Sequence, residues 1–197
     1  MRFAKLVFIA ACAWGAWHWY QTQPLTHISP GAEALAEPQQ ERSRAQSFEF
    51  KGYRIEPLAN FKIRARVLSR ENYASDKEAD LSPTDLALGW GRMSDIDVYG
   101  QLNITQSGRF YFWRYDNEPP IPRDEIISSS ANMHLIPATD DVRRALARIR
   151  QGQIVNIEGQ LIEATQPNGW RWRSSLTRSD SGAGACEVVW VESIAAE

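Results

Sequence analysis

The sequence predicts an α+β, mainly β fold behind an N-terminal transmembrane helix, and three observations carry that prediction. An apolar and aromatic run opens the chain between Leu6 and Tyr20. From Phe48 onward, alternation with a period of two dominates, as half-buried strands require. One well-capped helical stretch interrupts the strands late, at residues 140–151, an order compatible with a small, partly open barrel of the OB type. The chain then divides into an anchor (1–20), a proline-containing polar linker (21–46) and a globular domain (47–197).

The first element reads LVFIAACAWGAWHWY. As a helix it would be about 22 Å long at about 1.5 Å per residue, short of a hydrocarbon core of roughly 30 Å, although Phe3, Ala4 and a snorkelling Lys5 add a turn. Trp14, Trp17, Trp19 and Tyr20 crowd its C-terminal half, where amphipathic rings sit at headgroup level. Arg2 and Lys5 precede it and no basic residue follows until Arg42, so the positive-inside rule places the N-terminus in the cytoplasm and the domain beyond the membrane. The small-x-small triplet at 11–13 comes too early for signal cleavage and that at 34–36 too late, which favours a retained signal-anchor. A buried core helix is the alternative for so short a run. The terminal position, the flanking charges and the polar tract that follows argue against it.

Residues 21–46 carry Pro24, Pro30 and Pro38 among polar residues without apolar periodicity, the pattern of a spacer. Two strands follow, FEFKGYRIEPL and FKIRARVLS, the second with Phe61, Ile63, Ala65 and Val67 on one face and Lys62, Arg64 and Arg66 on the other. Ser82-Pro83-Thr84-Asp85 has the form of a helix start and Gly89 that of a stop, predicting a short helix through Leu86 and Leu88. A helical turn is expected within Ser94 to Tyr99. A hairpin is expected around Ser107-Gly108. The clearest helix, 140–151, has Thr139 as cap, Asp140 and Asp141 at its positive end, and Gly152 as its stop, with Val142, Ala145, Leu146 and Ile149 buried. IVNIEGQLIEA, WRWRSSL and CEVVWVESI supply the last strands, the first two joined through Pro167-Asn168-Gly169.

Composition excludes more than it assigns. A net charge of -2 offers no global attraction to nucleic acid or anionic lipid. The two cysteines, Cys12 and Cys186, are separated by the whole domain, which rules out a disulfide-stapled scaffold. Walker, HExxH, G-x-S-x-G and S-x-x-K signatures are missing, so no catalytic residue is assigned. The three histidines fall one each in anchor, linker and domain, so neither a metal site nor a cofactor is expected. Asp76, Glu78 and Asp80 alternate as in a calcium loop but lack its glycine and its final glutamate, which makes them a solvated acidic loop.

Three constellations remain as candidates for ligand or partner binding. RFYFWR would place Arg109, Tyr111 and Trp113 on one strand face, and WRWR sets Trp170 and Trp172 opposite Arg171 and Arg173. Such surfaces bind sugars, bases or acidic groups by stacking and charged hydrogen bonds, though the same alternation serves an ordinary half-buried sheet. A polar set, Asn132, His134, Ser175 and Arg178, completes the candidates. Cys186 with His134 as base has the residue types of a thiol hydrolase, without a local motif to support it.

SANMHLIPA, IVNIEGQLIEA, GWRWRSSLTR leading into GACEVVWVES, and LSPTDLALGWGRMSD resemble a group of bacterial membrane-anchored proteins, across roughly residues 50–195. The resemblance implies a single-pass bacterial inner-membrane setting and carries no activity or catalytic residue with it. The resulting expectation is a non-enzymatic periplasmic module, held in the inner membrane by residues 6–20, that binds an envelope protein or polymer. A Cys186–His134 thiol hydrolase and an OB-like binder of single-stranded nucleic acid are its alternatives, the latter at odds with the compartment and the mild acidity.

Overall fold

In the computed structural model, which describes residues 2–177 and 186–197, the N-terminal run is helical throughout, as α1 (Arg2–Thr22). No helix among the described residues is long and apolar enough to cross a membrane, so α1 by itself does not support the transmembrane expectation. The reason is compositional: Gly15, His18 and the tryptophan-rich second half dilute a short aliphatic core. Nor is α1 a buried core helix, because Val7, Phe8, Ile9, Trp14, Trp17 and Tyr20 are each more than half exposed.

The segment expected to be a free spacer lies along the domain instead. Leu25 N donates to the Gln151 carbonyl at 2.9 Å, Ala34 is buried, and Ala34 N donates to Ser94 Oγ at 3.1 Å. Its end forms β1 (Gln39–Arg42), antiparallel to the chain around Phe61. Periodicity missed this strap because isolated anchors hold it, with no continuous face. Beneath it Arg66, predicted to face solvent with Lys62 and Arg64, is buried: its Nε donates to the Ser94 carbonyl (3.0 Å), its Nη1 to the Gly152 carbonyl (2.8 Å), and its Nη2 pairs with Glu33 (3.1 Å).

Gly152 is the seat of the strap. Its φ is +91°, and a Cβ there would lie 2.6 Å from Ile28 Cδ1 and 3.2 Å from Leu25 Cβ. Gly152→Ala is therefore expected to cost about 1–3 kcal/mol through backbone strain. Amide exchange should rise first across residues 25–34, and unchanged protection there would show that the strap does not depend on this seat.

The two expected strands at the start of the domain are divided differently. A short β2 (Phe48–Phe50) turns back at Lys51-Gly52, both with positive φ, onto a single long β3 (Tyr53–Asn72). Bulges between Pro57 and Ala59 and between Val67 and Ser69 bend β3, so that its first part pairs with one neighbour and its end with another. The predicted helix at 82–89 is a correction: Thr84–Gly89 is a strand, β4, buried at every position. Leu86 and Leu88 enter one core while Ala87 enters another, and a strand covered on both faces loses the alternation that identifies strands.

A 3-10 turn (Gly91–Ser94) and α2 (Ile96–Tyr99) supply the helical turn expected here. β5 (Asn103–Ser107) and β6 (Phe110–Arg114) form the expected hairpin, with Gly108 and Arg109 at positive φ in the turn. The short α3 (Arg123–Ser128), too brief to show a helical period in the sequence, leads into β7 (Ser130–Pro137). α4 (Asp140–Leu146) starts where predicted, with Thr139 Oγ1 accepting from Val142 N at 3.2 Å, and ends five residues before the predicted end at 151. β8 (Ile154–Thr165), β9 (Arg171–Arg173) and β10 (Glu187–Ala196) complete the chain.

The sheet is strand-rich and ring-like, in an α+β fold with few helices. β3 pairs with β4, β4 with β7, β7 with β10, β10 with β8, and β8 returns to β3; only the β7–β10 pair is parallel. The ring encloses Phe61, Ile63, Val67, Leu86, Leu135, Ile157 and Val189, and α4 closes it with Val142 and Leu146. Two further apolar clusters coat its outside, one around Ile55, Leu81 and Trp190, the other around Leu68, Met93 and Ile126 beside the β5–β6 hairpin.

Candidate functional site

Alternation along β4 and β7 decides where the polar groups emerge. Leu86, Leu88, Met133 and Leu135 point inward, so Asp85, Asn132 and His134 point to the outer face. Asp85 and His134 stand directly opposite each other across the strand pair. Both are buried, at 0% and 2% exposure, so each needs a partner. They find one another, with His134 Nδ1 and Asp85 Oδ2 2.8 Å apart.

The hairpin turn places Arg109 over this pair. Arg109 Nη1 donates to Asp85 Oδ1 and to the Ser82 carbonyl, both at 2.9 Å, while Nε and Nη2 grip Asp76 at 2.9 and 2.7 Å. The guanidinium lies 3.7 Å from the centre of the Tyr73 ring. The Arg109 carbonyl accepts from Asn132 Nδ2 at 3.0 Å and lies 3.9 Å from Cys186 Sγ. Gln106 Nε2 donates to Asn132 Oδ1 at 2.7 Å, and the Trp172 ring lies 4.7 Å from the His134 ring. The hairpin, the loop after β3, β9 and the start of β10 thus meet on the outer face of β4 and β7.

Charge follows the geometry. Burial alone would lower the Arg109 pKa, but the hydrogen bond to Asp76 and the charge of Asp85 carry it above its ordinary value. The Arg109 hydrogen bond in turn holds the Asp76 carboxyl below the usual range, against burial. Burial, then the charge of Asp85, pushes the Tyr73 phenol up. With its folded pKa lowered, Asp76 binds fewer protons in the folded state. Its stabilisation is complete above the ordinary aspartate value of about 3.9 and is lost as pH falls through the lower folded value. Denaturant midpoints measured from pH 7 down to 3 should therefore fall less steeply in Asp76→Asn than in the parent. Parallel profiles would refute the assignment.

The structure gathers Arg109, Asn132, His134 and Trp172 from among the predicted residues. It sends Tyr111 and Trp113 elsewhere, which corrects the shared face expected for them with Arg109: Arg109 lies in the turn with φ +71°, off the strand. Tyr111 packs inward and bonds Ser130 Oγ at 3.1 Å, and burial pushes its pKa up to about 12. Trp113 stacks on Tyr115 at 6.2 Å, in a cluster separate from that of Trp172. The exposed rings of β6 are instead Phe110 and Phe112, at 41% and 51%.

Arg171 and Arg173 stand on the face of β9 opposite Trp172 and both pair with Glu163, which their hydrogen bonds hold below the usual carboxylate range. Ser175 is buried and joins the β10 end through its backbone N–H and the Cys186 carbonyl, 3.0 Å. Arg178 lies outside the described residues.

Sequence reasoning missed Asp85, Asp76 and Tyr73. Asp85 carried a usable signal, a charge set inside the apolar run TDLALG, where only a partnered carboxylate is tolerated. Among the described residues no group of three His, Cys, Asp or Glu side chains is placed to hold a metal ion. No family model, curated protein or solved structure matches the chain.

Proposed function

We propose that the protein is a non-enzymatic binding module, tethered by α1 in a bacterial inner membrane with its domain in the periplasm, where it engages an envelope protein or polymer. The observation that carries the reading is the convergence of a loop, a hairpin and the β9 arm on the outer face of β4 and β7. If the ring is an OB-type barrel, these are its second and third strands, and OB barrels bind on that face and the loops beside it. The ring order, with α4 between its third and fourth strands, supports that finer assignment. The tether is supported by apolar and aromatic side chains that α1 leaves uncovered, preceded by Arg2 and Lys5. The network itself suits a scaffold: the Arg109 guanidinium is held by Asp85, Asp76 and Ser82, which fixes the rim.

The test is affinity capture from cross-linked membranes with the full chain as bait, comparing the parent with a Lys77→Glu/Phe110→Ser variant, both residues being exposed on the loop and hairpin that meet at this face, with a thermal melt to check the fold. The expected result is a discrete envelope component captured by the parent and lost from the variant. Equal capture by both would remove the rim as the binding surface.

A second reading, the thiol hydrolase, is favoured by one observation. His134 is oriented through Nδ1 by Asp85, in the same network whose Arg109 carbonyl lies beside Cys186 Sγ. It requires Cys186 alkylation by iodoacetamide to stay fast below the ordinary thiol range of about 8.5 and to slow in His134→Gln. An ordinary thiol profile in both proteins would dismiss it.

A further inference from the structure

We propose that a groove outside the Arg109 network takes an extended acidic glycan, a short run of sugar units bearing carboxylates. This adds a second binding surface to the module and rests on the reading of the protein as a binder in the envelope. The groove measures about 750 Å³, within the range of small-ligand sites. Its floor is the bulged part of β3 at Pro57 to Ala59; one wall is the chain leaving β1, tied down by the Ser43 N–H on the Leu58 carbonyl at 3.0 Å. The other wall is Arg173 and Leu176, joined to the first through Gln40 Nε2 and the Leu176 carbonyl at 3.1 Å.

The lining is what identifies the ligand. Three arginines, Arg42, Arg54 and Arg173, and a single carboxylate, Glu56, line it, on a chain whose net charge is -2. Arg173 is held by Glu163, whereas among the described residues Arg42 and Arg54 have no carboxylate partner. Arg54 is steadied by Ser47 Oγ at 2.9 Å. The forked donors of two such guanidinium groups match carboxylates bidentately, and the Ser43 and Ser47 hydroxyls suit sugar hydroxyls. Among the described residues no aromatic ring lines the groove; a single nucleic-acid strand relies on such rings to stack its bases, whereas an acidic sugar can be held through its carboxylates by the arginine forks alone.

The experiment is a calorimetric titration of the full chain, in detergent micelles, with tetragalacturonate, neutral maltotetraose and a thymidine tetranucleotide. The expected result is tetragalacturonate binding that weakens with added salt, no maltotetraose binding, and a loss of about tenfold or more in Arg42→Glu/Arg54→Glu that the double lysine variant partly restores. Both arginines are exposed, so the variants keep the fold, and a thermal melt checks it. Equal affinity in parent and charge-reversed variant, equal affinity for the tetranucleotide, or no tetragalacturonate binding overturns the proposal. If tetragalacturonate fails while envelope capture persists, only this inference falls; if capture fails as well, the binding-module reading falls with it.

Discussion

Asp85→Ala is expected to destabilise the domain by about 3–5 kcal/mol, the cost of breaking a buried ion pair from one side. Asp85 is fully buried and joins three elements at once, through His134 on β7, Arg109 in the hairpin turn, and its own place in β4. Without its carboxylate, His134 Nδ1 loses its hydrogen bond and half of the Arg109 anchorage goes with it. Arg109 keeps Asp76, but that carboxylate is about a third exposed and its pairing is screened. Urea denaturation should show the loss as a lower midpoint. Hydrogen exchange should rise selectively across residues 103–114, because Arg109 ties that hairpin down. A loss below about 1 kcal/mol, the size expected of an ordinary hydrogen bond, would mean that the network is not what holds the face together.

Gly159→Ala is the second large effect, with an expected loss of about 4 kcal/mol or more. Gly159 pairs with Phe61 of β3 on one side and Val191 of β10 on the other, so it sits in the middle of the ring. A Cβ there would lie 2.0 Å from the Trp190 carbonyl oxygen and 3.2 Å from Glu192 N, both backbone atoms. No rotamer relieves that overlap; β8 and β10 must separate at the bulge between Val191 and Ser193. By contrast, a methyl group added at Gly15 in α1 would meet nothing within 4 Å, and Gly15→Ala should leave the domain's midpoint unchanged. A Gly159→Ala protein with parental stability would contradict the pairing of β8 with β10.

The sequence revealed those parts of the fold in which one face is wet and the other dry. The Phe61–Val67 alternation, the Ser107-Gly108 hairpin and the Thr139 cap were all readable, because each depends on local contrast or local turn chemistry. β4 was hidden by burial on both faces, which leaves a capping pattern as the loudest local signal. The strap from Gln23 to Pro38 was hidden because Leu25, Ile28 and Ala34 anchor it singly. The site was half visible for a related reason: His134, Asn132 and Arg109 stood out as unusual residues, whereas Asp85 and Asp76 gain their meaning only from pairing across strands and loops. Tyr111 and Trp113 misled because a strand pattern does not say which apolar cluster a ring will join.

A photo-cross-linking residue at position 77 of the full chain, in the exposed loop beside Asp76, activated in intact cells before fractionation, tests the tethered-binder account most directly. The account predicts a discrete adduct with one envelope component, recovered in the membrane fraction. A chain recovered without any adduct in the soluble cytosol would contradict both the tether and the binding face.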